Sequence, residues 1–407
     1  MKESFLIDVL KKGVSPFHCV EAAMQTLEES GFEELEYARP WNLKKGKAYM
    51  MNHHGTTLYA FTVGENFRAD AMLRMAAAHT DYPYLRIKPN ADFVTDRYAQ
   101  VNVEVYGGPI LNTWFDRPLG IAGRVIVRSG DVFAPETMLY RSGRPVLIIP
   151  NLAIHMNREV NKGVAINNQV DLMPVVDMLP EEQQSTDYFL SFLAEELAVK
   201  KEDILDFELN TYCVEEPAYV GIKETLLSSP RLDNQTSVAA LLAAIVEGTR
   251  TDGINLIALF DNEEIGNTSK QGAASILLHD MVKRIYGRLA AVRKKRIVRC
   301  MQVCCFPWMW RMHCIRIIRR KWILPIIRCL VVDSVSKRHV PSLMRRMQRQ
   351  SEFCGNSAIR IKSHTRGLSI VPMCVGVVHW DRLHPRCFRS AQWILEFRSY
   401  RCILHGN

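Results

Sequence analysis

Three carboxylates fall within four residues in the stretch Leu256-Ile257-Ala258-Leu259-Phe260-Asp261-Asn262-Glu263-Glu264-Ile265-Gly266. The apolar run at 256–260 has the length and composition of a buried strand, and Gly266 supplies the turn signal that follows it. The small residues Gly272-Ala273-Ala274-Ser275 then suit a helix start. Charge at the end of a buried strand is costly unless it meets a partner. In open α/β sheets ligands sit beyond the carboxyl ends of the strands, so Glu263 and Glu264 are expected to face a cation or a reacting water. Taken by itself, Asp-Asn-Glu-Glu also fits a solvated turn.

A second pair shares this chemistry. An apolar run ends in His79-Thr80-Asp81. A period of two points both side chains the same way, so the Asp81 carboxylate can fix the imidazole in one tautomer while its other nitrogen binds metal. The same pair also occurs as an ordinary surface hydrogen bond, and it gains meaning only by converging with other ligands. His155, in Leu152-Ala153-Ile154-His155-Met156, has apolar neighbours and reads from spacing alone as structural. Asp233 precedes the apolar helix expected from Ser237 to Glu247, where an N-terminal cap is its default role.

The elements that must hold these residues follow from hydrophobic period and turn signals. Residues 4–30 read as one or two amphipathic helices, with Ser15-Pro16 as a start signal. Residues 48–63 read as two strands around a turn. From 86 to 225 short β-type runs alternate with Gly, Pro and Asp turns, which predicts a separate β-dominated insert. The pattern then returns to α/β.

The chain has 407 residues, 48% of them hydrophobic, enough for one large or two ordinary domains. Met1-Lys2-Glu3-Ser4 leads into an amphipathic stretch rather than a signal peptide, and no uninterrupted apolar run spans a bilayer. A cytoplasmic protein with no membrane partner is expected. The net charge of +9 hides a division: residues 291–407 carry +20 and residues 1–290 carry −11. Nine of the 11 cysteines and five of the seven tryptophans also lie after position 290. The Arg-rich tail suggests a nucleic-acid binder. Yet it mixes Arg with Cys, Trp, Ile and Met without a steady period.

Residues 1–289 resemble the M18 family of metallo-aminopeptidases, the aspartyl aminopeptidases. The motifs that carry the likeness are Ala78-His79-Thr80-Asp81, Leu85-Arg86-Ile87-Lys88-Pro89, Tyr106-Gly107-Gly108, Thr113-Trp114-Phe115-Asp116-Arg117-Pro118-Leu119, Leu152-Ala153-Ile154-His155, Arg231-Leu232-Asp233-Asn234, Asp261-Asn262-Glu263-Glu264-Ile265-Gly266 and Gly272-Ala273. Tyr82 departs from the small residue usual there. The resemblance implies a doubly wound α/β zinc-exopeptidase domain (residues 1–90 and 227–289) interrupted by a β-rich dimerisation domain (91–226). It implies peptide substrates, and dimers that build dodecamers. His79 would be a terminal ligand of one zinc, Asp233 would bridge two metals, Glu264 would be a ligand and Glu263 the general base. Asp81 would orient His79, and His155 would reach a neighbouring subunit's active site. Imidazole and carboxylate without thiolate suit an exchangeable catalytic zinc, or cobalt or manganese in its place.

The family also requires Ser-x-Asp-x-Ala-His-Ala-x-His-Pro-Asn and, near the carboxyl end, Met-His-Ser-x-Arg-Glu, and the sequence contains neither. The genetic code supplies a reason. Trp308-Met309-Trp310 must be encoded TGG ATG TGG; read one base earlier, this gives Asp-Val and then a codon beginning with G. Over residues 306–332, permitted codons spell Ser-Val-Asp-Val-Ala-His-Ala-Leu-His-Pro-Asn and onward, and residues 400–407 permit Met-His-Ser-Ala-Arg-Glu. A frame slip between about 287 and 299 therefore makes residues 290–407 an out-of-frame translation, not natively folded and with no evolved function. Cys300, Cys304, Cys305, His313 and Cys314 imitate a zinc site but contain no Cys-x-x-Cys pair. The tail's arginines favour nonspecific polyanion binding over any specific nucleic acid. Three functions follow: an aminopeptidase impaired as written, a catalytically dead assembly subunit, or an Arg-rich nucleic-acid binder.

Overall fold

The computed structural model describes residues 3–68, 71, 73–163, 165–180, 187–249 and 251–290, together with three short strands at 303–307, 318–319 and 377–378. The expectation that residues 290–407 are not natively folded falls, apart from those strands, outside the described residues.

Five helices are described: α1 (Glu3–Lys12), α2 (Pro16–Glu29), α3 (Tyr188–Leu197), α4 (Leu232–Glu247) and α5 (Leu277–Ala290). The strands are β1 (Glu33–Glu34), β2 (Ala48–His53), β3 (Thr57–Val63), β4 (Leu73–His79), β5 (Tyr84–Thr95), β6 (Tyr98–Tyr106), β7 (Leu119–Val127), β8 (Glu136–Arg141), β9 (Val175–Met178), β10 (Ile204–Cys213), β11 (Ala218–Val220), β12 (Leu226–Ser228), β13 (Ile254–Phe260), β14 (Val303–Pro307), β15 (Ile318–Arg319) and β16 (Val377–Val378).

The first sheet has the order β1-β2-β3-β13-β4-β14-β16. Strand β13 pairs antiparallel with β3 and parallel with β4. Its residues are buried on both faces, as expected of a strand covered by helices on each side. Ile257 and Leu259 join Leu58 and Ala60 of β3 under α1, α2 and α4, while Leu256 and Phe260 join Tyr59 and Phe61 under α5. Full burial of such side chains is worth about 1.5–3 kcal/mol each. The centre of this sheet is thus a firm base for whatever its strand ends carry. Helix α2 starts where Ser15-Pro16 predicts: the Ser15 hydroxyl accepts from the His18 N–H at 3.2 Å, with Pro16 just inside the helix.

The second sheet, β8-β7-β10-β5-β6-β9, is antiparallel throughout. It has its own core, which takes in Phe189 and Leu193 of α3. The expected boundary at 91 falls inside β5, whose pairing with β6 already runs from Tyr84. The first sheet also continues past β4: β14 pairs with it in parallel, Cys304 opposite Arg74 and Pro307 opposite Ala77. The apolar sequence Val303-Cys304-Cys305-Phe306 suits that inner place whatever the origin of the segment.

Candidate metal centre

Parallel pairing of β4 with β13 sets His79 opposite Phe260. Both strands therefore release their chains at the same sheet edge, one into Thr80-Asp81 and the other into Asp261 to Glu264. Asn262 (φ 62°) and Gly266 (φ 98°) are left-handed, and between them Glu263–Ile265 make one 3-10 turn closed by the Gly266 N–H on the Glu263 carbonyl at 3.0 Å. This tight reversal turns both glutamates back over the strand ends. Asp261 does not join them. It is buried, and its Oδ1 accepts from the Asn262 N–H at 2.7 Å.

Asp233 arrives from the far side of the insert. The residue capping α4 is Arg231, which makes no side-chain cap, and Asp233 (φ −86°, ψ 116°) departs from helical geometry, with a cis peptide bond to Asn234. The regular helix therefore begins only after Asn234, and the Asp233 carboxylate turns to the strand end instead: its Oδ1 lies 3.4 Å from His79 Nε2. Glu263 Oε2 lies 4.0 Å from the same nitrogen. Potential ligand atoms of His79, Glu263 and Glu264 all lie within 4.8 Å of one another. On the other side of the ring, His79 Nδ1 lies 3.2 Å from Asp81 Oδ1 and 3.0 Å from the Asp81 carbonyl oxygen. The imidazole is thus held by Asp81 and faces the carboxylates with Nε2.

Asp81 is wholly buried and saturated with donors. Its Oδ2 accepts from the Tyr106 hydroxyl at 2.7 Å and the Glu264 N–H at 3.1 Å, and its Oδ1 from the Glu263 N–H at 3.2 Å. The glutamates and the orienting aspartate are therefore one hydrogen-bonded unit.

Electrostatics marks the cluster as short of positive charge. Burial raises the Glu264 carboxyl to about 7 against the opposing pull of His79, and Asp81, Glu263 and Asp233 add to the rise. Glu263 is raised too, by burial first, with His79 opposing and Asp81 and Asp233 assisting. Burial works against charging His79, yet Asp233, Asp81 and Glu263 outweigh it and hold the imidazole well above its ordinary value. A crowded carboxyl that retains its proton near neutrality, as Glu264 does, is what a divalent cation would relieve. The donors are one imidazole and several carboxylates, and both described cysteines, Cys19 and Cys213, lie outside the set. That combination fits zinc or another exchangeable divalent ion.

Five of the six residues singled out in the sequence, His79, Asp81, Asp233, Glu263 and Glu264, come together here. His155 does not. It lies on the exposed turn at 154–156, apart from the cluster. The two missing ligand motifs map to 306–332 and 400–407, where no described side chain exists. Sequence reasoning missed Tyr106 and Asn262 as parts of the site. The Asn262 side chain donates to the Tyr106 hydroxyl at 2.9 Å and accepts from the Ser269 hydroxyl at 2.6 Å. The one available signal was the Tyr106-Gly107-Gly108 motif at a strand end.

A helix-covered mixed sheet, interrupted in sequence by an antiparallel module, thus ends in a cluster of one imidazole and several carboxylates with the donor chemistry of a divalent-ion site. The family description "Aminopeptidase I zinc metalloprotease (M18)" matches residues 9–303. The chain belongs to the M18 family. A Clostridium acetobutylicum protein named "Probable M18 family aminopeptidase 2" is 45% identical over 281 residues, covering 69% of this chain and 65% of the relative. The Aspergillus oryzae "Aspartyl aminopeptidase" is 33% identical over 312 residues, 67% of this chain and 62% of the relative. Among solved structures, the S. cerevisiae mApe1 dodecamer aligns with TM-score 0.60 and 25% identity over 73% of this chain and 69% of that one. The match thus spans just under two thirds of the length of these curated relatives.

Proposed function

We propose that the chain is built as a zinc-dependent aminopeptidase that releases N-terminal residues, acidic ones in particular, from peptides. The observation that carries this reading is the orientation of His79, whose Nδ1 is held by Asp81 while Nε2 faces Asp233 at 3.4 Å and Glu263 at 4.0 Å. His79, Asp233 and Glu264 would hold the metal, two ions in all with Asp233 serving both, and cobalt or manganese would substitute for zinc. Bound ions supply polarisation of the scissile carbonyl and acidify the attacking water. Glu263, partly exposed and with its carboxyl raised by burial, accepts the water's proton and delivers it to the leaving amine. Asp81 keeps the His79 ring from turning.

The domain scheme belongs to the same proposal, with its first boundary moved to the start of β5: residues 1–83 and 227–289 form the catalytic unit, 84–226 the dimerisation module, and 290–407 a frame-shifted tail. The exposed turn that carries His155 suits a contact with a neighbouring subunit, and the dodecamer named for the S. cerevisiae relative supports self-assembly. Among the described residues no helix is long and apolar enough to cross a membrane, in keeping with a cytoplasmic site of action. A specific nucleic-acid partner is not part of this reading.

A second reading, a catalytically dead assembly subunit, is favoured by one observation: the sequence as written contains neither further ligand motif. The full chain is therefore expected to bind zinc weakly and turn over negligibly. A protein made from the gene with its frame restored is expected to release Asp and Glu from aminoacyl substrates. Glu263→Gln in that protein should cut turnover by about 10²–10⁴-fold with zinc content unchanged. Failure of the frame-restored protein to hydrolyse any aminoacyl substrate sinks the enzymatic reading.

A further inference from the structure

The insert does more at this edge than lie beside it. Tyr106 is the last residue of β6, in the second sheet, and its phenol is buried against the first sheet's strand ends. Its ring is fixed from two directions: it stacks on Tyr84, its cross-strand partner, with centroids 4.2 Å apart and planes 3° from parallel, and the Arg86 guanidinium lies 5.1 Å from its centroid. The hydroxyl has one proton, and it goes to Asp81 Oδ2 at 2.7 Å; the oxygen then accepts from Asn262 Nδ2 at 2.9 Å. Ser269 donates in turn to the Asn262 side-chain oxygen Oδ1 at 2.6 Å. Donation thus runs Ser269 to Asn262 to Tyr106 to Asp81, the carboxylate whose other oxygen lies 3.2 Å from His79 Nδ1.

The next residue acts on another proposed ligand. Gly107 has φ +72°, and a Cβ there would stand 2.9 Å from Glu264 Cβ and 3.3 Å from Glu264 Oε2. The end of β6 therefore touches the centre twice, once through the aspartate that orients His79 and once against the carboxylate opposite.

We infer that Tyr106 is a positioning residue of the metal centre, through which the inserted β-rich module sets the orientation of His79. The inference rests on the metal-centre reading above. Groups that hydrogen-bond to metal-ligating side chains fix their tautomer and direction, and losing one costs about 10–100-fold in metal affinity. Asp81 without the Tyr106 proton keeps its backbone donors but loses the contact that fixes Oδ2 from the module's side. The phenol ring itself is not needed for that contact, so removing the oxygen alone separates positioning from packing.

The test titrates the full chain with cobalt(II) and follows the ligand-field absorption, with Tyr106→Phe and Tyr84→Phe side by side. Tyr84→Phe keeps the ring stack and removes a hydroxyl that does not reach Asp81. Tyr106→Phe is expected to weaken cobalt binding about 10–100-fold and to alter the absorption envelope, with Tyr84→Phe within about twofold of the unaltered chain. A Tyr106→Phe titration that overlays the unaltered chain overturns the inference, as does an equal loss in Tyr84→Phe, which would make the effect one of packing. A spectrum absent from the unaltered chain even at cobalt(II) concentrations high enough to fill the weak site expected of it overturns the metal-centre reading and the inference with it. Should Tyr106→Phe not fold, Ser269→Ala is expected to weaken binding by a smaller factor, and no change there is equally fatal.

Discussion

His79 and Asp233, one ending a strand before the insert and the other opening a helix after it, meet with Nε2 and Oδ1 3.4 Å apart. Their environments differ: the His79 side chain is 11% exposed and that of Asp233 57%. Asp233 is therefore largely presented to solvent, at a non-helical step just ahead of the regular part of α4. Asp233→Ala should leave the fold within about 0.5 kcal/mol of the unaltered chain, as for an ordinary surface change. It should nevertheless lower zinc affinity at least about tenfold. Denaturant unfolding with and without zinc checks both, and an unchanged zinc-induced stabilisation would show that Asp233 is no ligand.

Asp81 offers the opposite case. It is fully buried and receives Tyr106, two backbone N–H groups and His79 Nδ1. Asp81→Asn turns one acceptor into a donor and sets an NH₂ against donors already there. Leaving a buried polar group unmatched costs about 1–3 kcal/mol. The metal-free protein should lose about that much stability, and zinc affinity should fall as well. Equal midpoints for the two metal-free proteins in urea would contradict the hydrogen-bonding described.

The strand ends that carry the acidic cluster were legible because their signals are local. An apolar run followed by clustered acids marks Glu263 and Glu264, and a period of two places His79 with Asp81. Asp233 was harder, since an acid ahead of an apolar helix looks the same whether it caps the helix or faces a neighbouring strand. The non-helical step at Asp233 and Asn234, which turns the carboxylate toward the strand end, is a matter of backbone dihedrals that no residue pattern states. Tyr106 was beyond reach for another reason. Alternation along β6 tells which face it occupies, but its hydroxyl is spent on a residue of a different sheet, and only the packing of module on strand ends brings the two together. The role expected of His155 needs a second subunit, which the sequence of one chain does not contain.

Away from the acidic cluster, His18 gives a pH test of the helix start at Ser15. Burial first, and Arg141 second, lower its imidazole to about 4 from an ordinary 6.5, while the Ser15 hydroxyl and Nδ1 lie 2.7 Å apart. Unfolded chains take up a proton at this residue below about pH 6.5, and the folded chain does so only near 4. The unfolded state binds more protons in that window, so this contribution to stability is present above about 6.5 and is lost as pH falls toward 4. His18→Gln should remove the dependence: its stability relative to the unaltered chain should improve steadily from pH 7 to pH 4.5 in chemical denaturation. A pH-independent difference between the two would mean that His18 is not buried neutral.

The frame slip is open to the most direct check. Residues 1–290 carry −11 and residues 291–407 +20, and the change comes together with a jump in Cys and Trp. Out-of-frame reading produces all three at once, because codons read off-register answer to no selection for surface charge or for thiol content. Strand β14 does not argue against it, since pairing beside β4 asks only for a short apolar run. Sequencing the gene across codons 287–299 should reveal one base inserted or deleted, with the A-rich codons of Arg293-Lys294-Lys295-Arg296 the expected place. Downstream, the alternative frame should run open through the two restored motifs. Stop codons scattered through that frame would refute the slip and return the Arg-rich tail to consideration as an evolved, polyanion-binding segment.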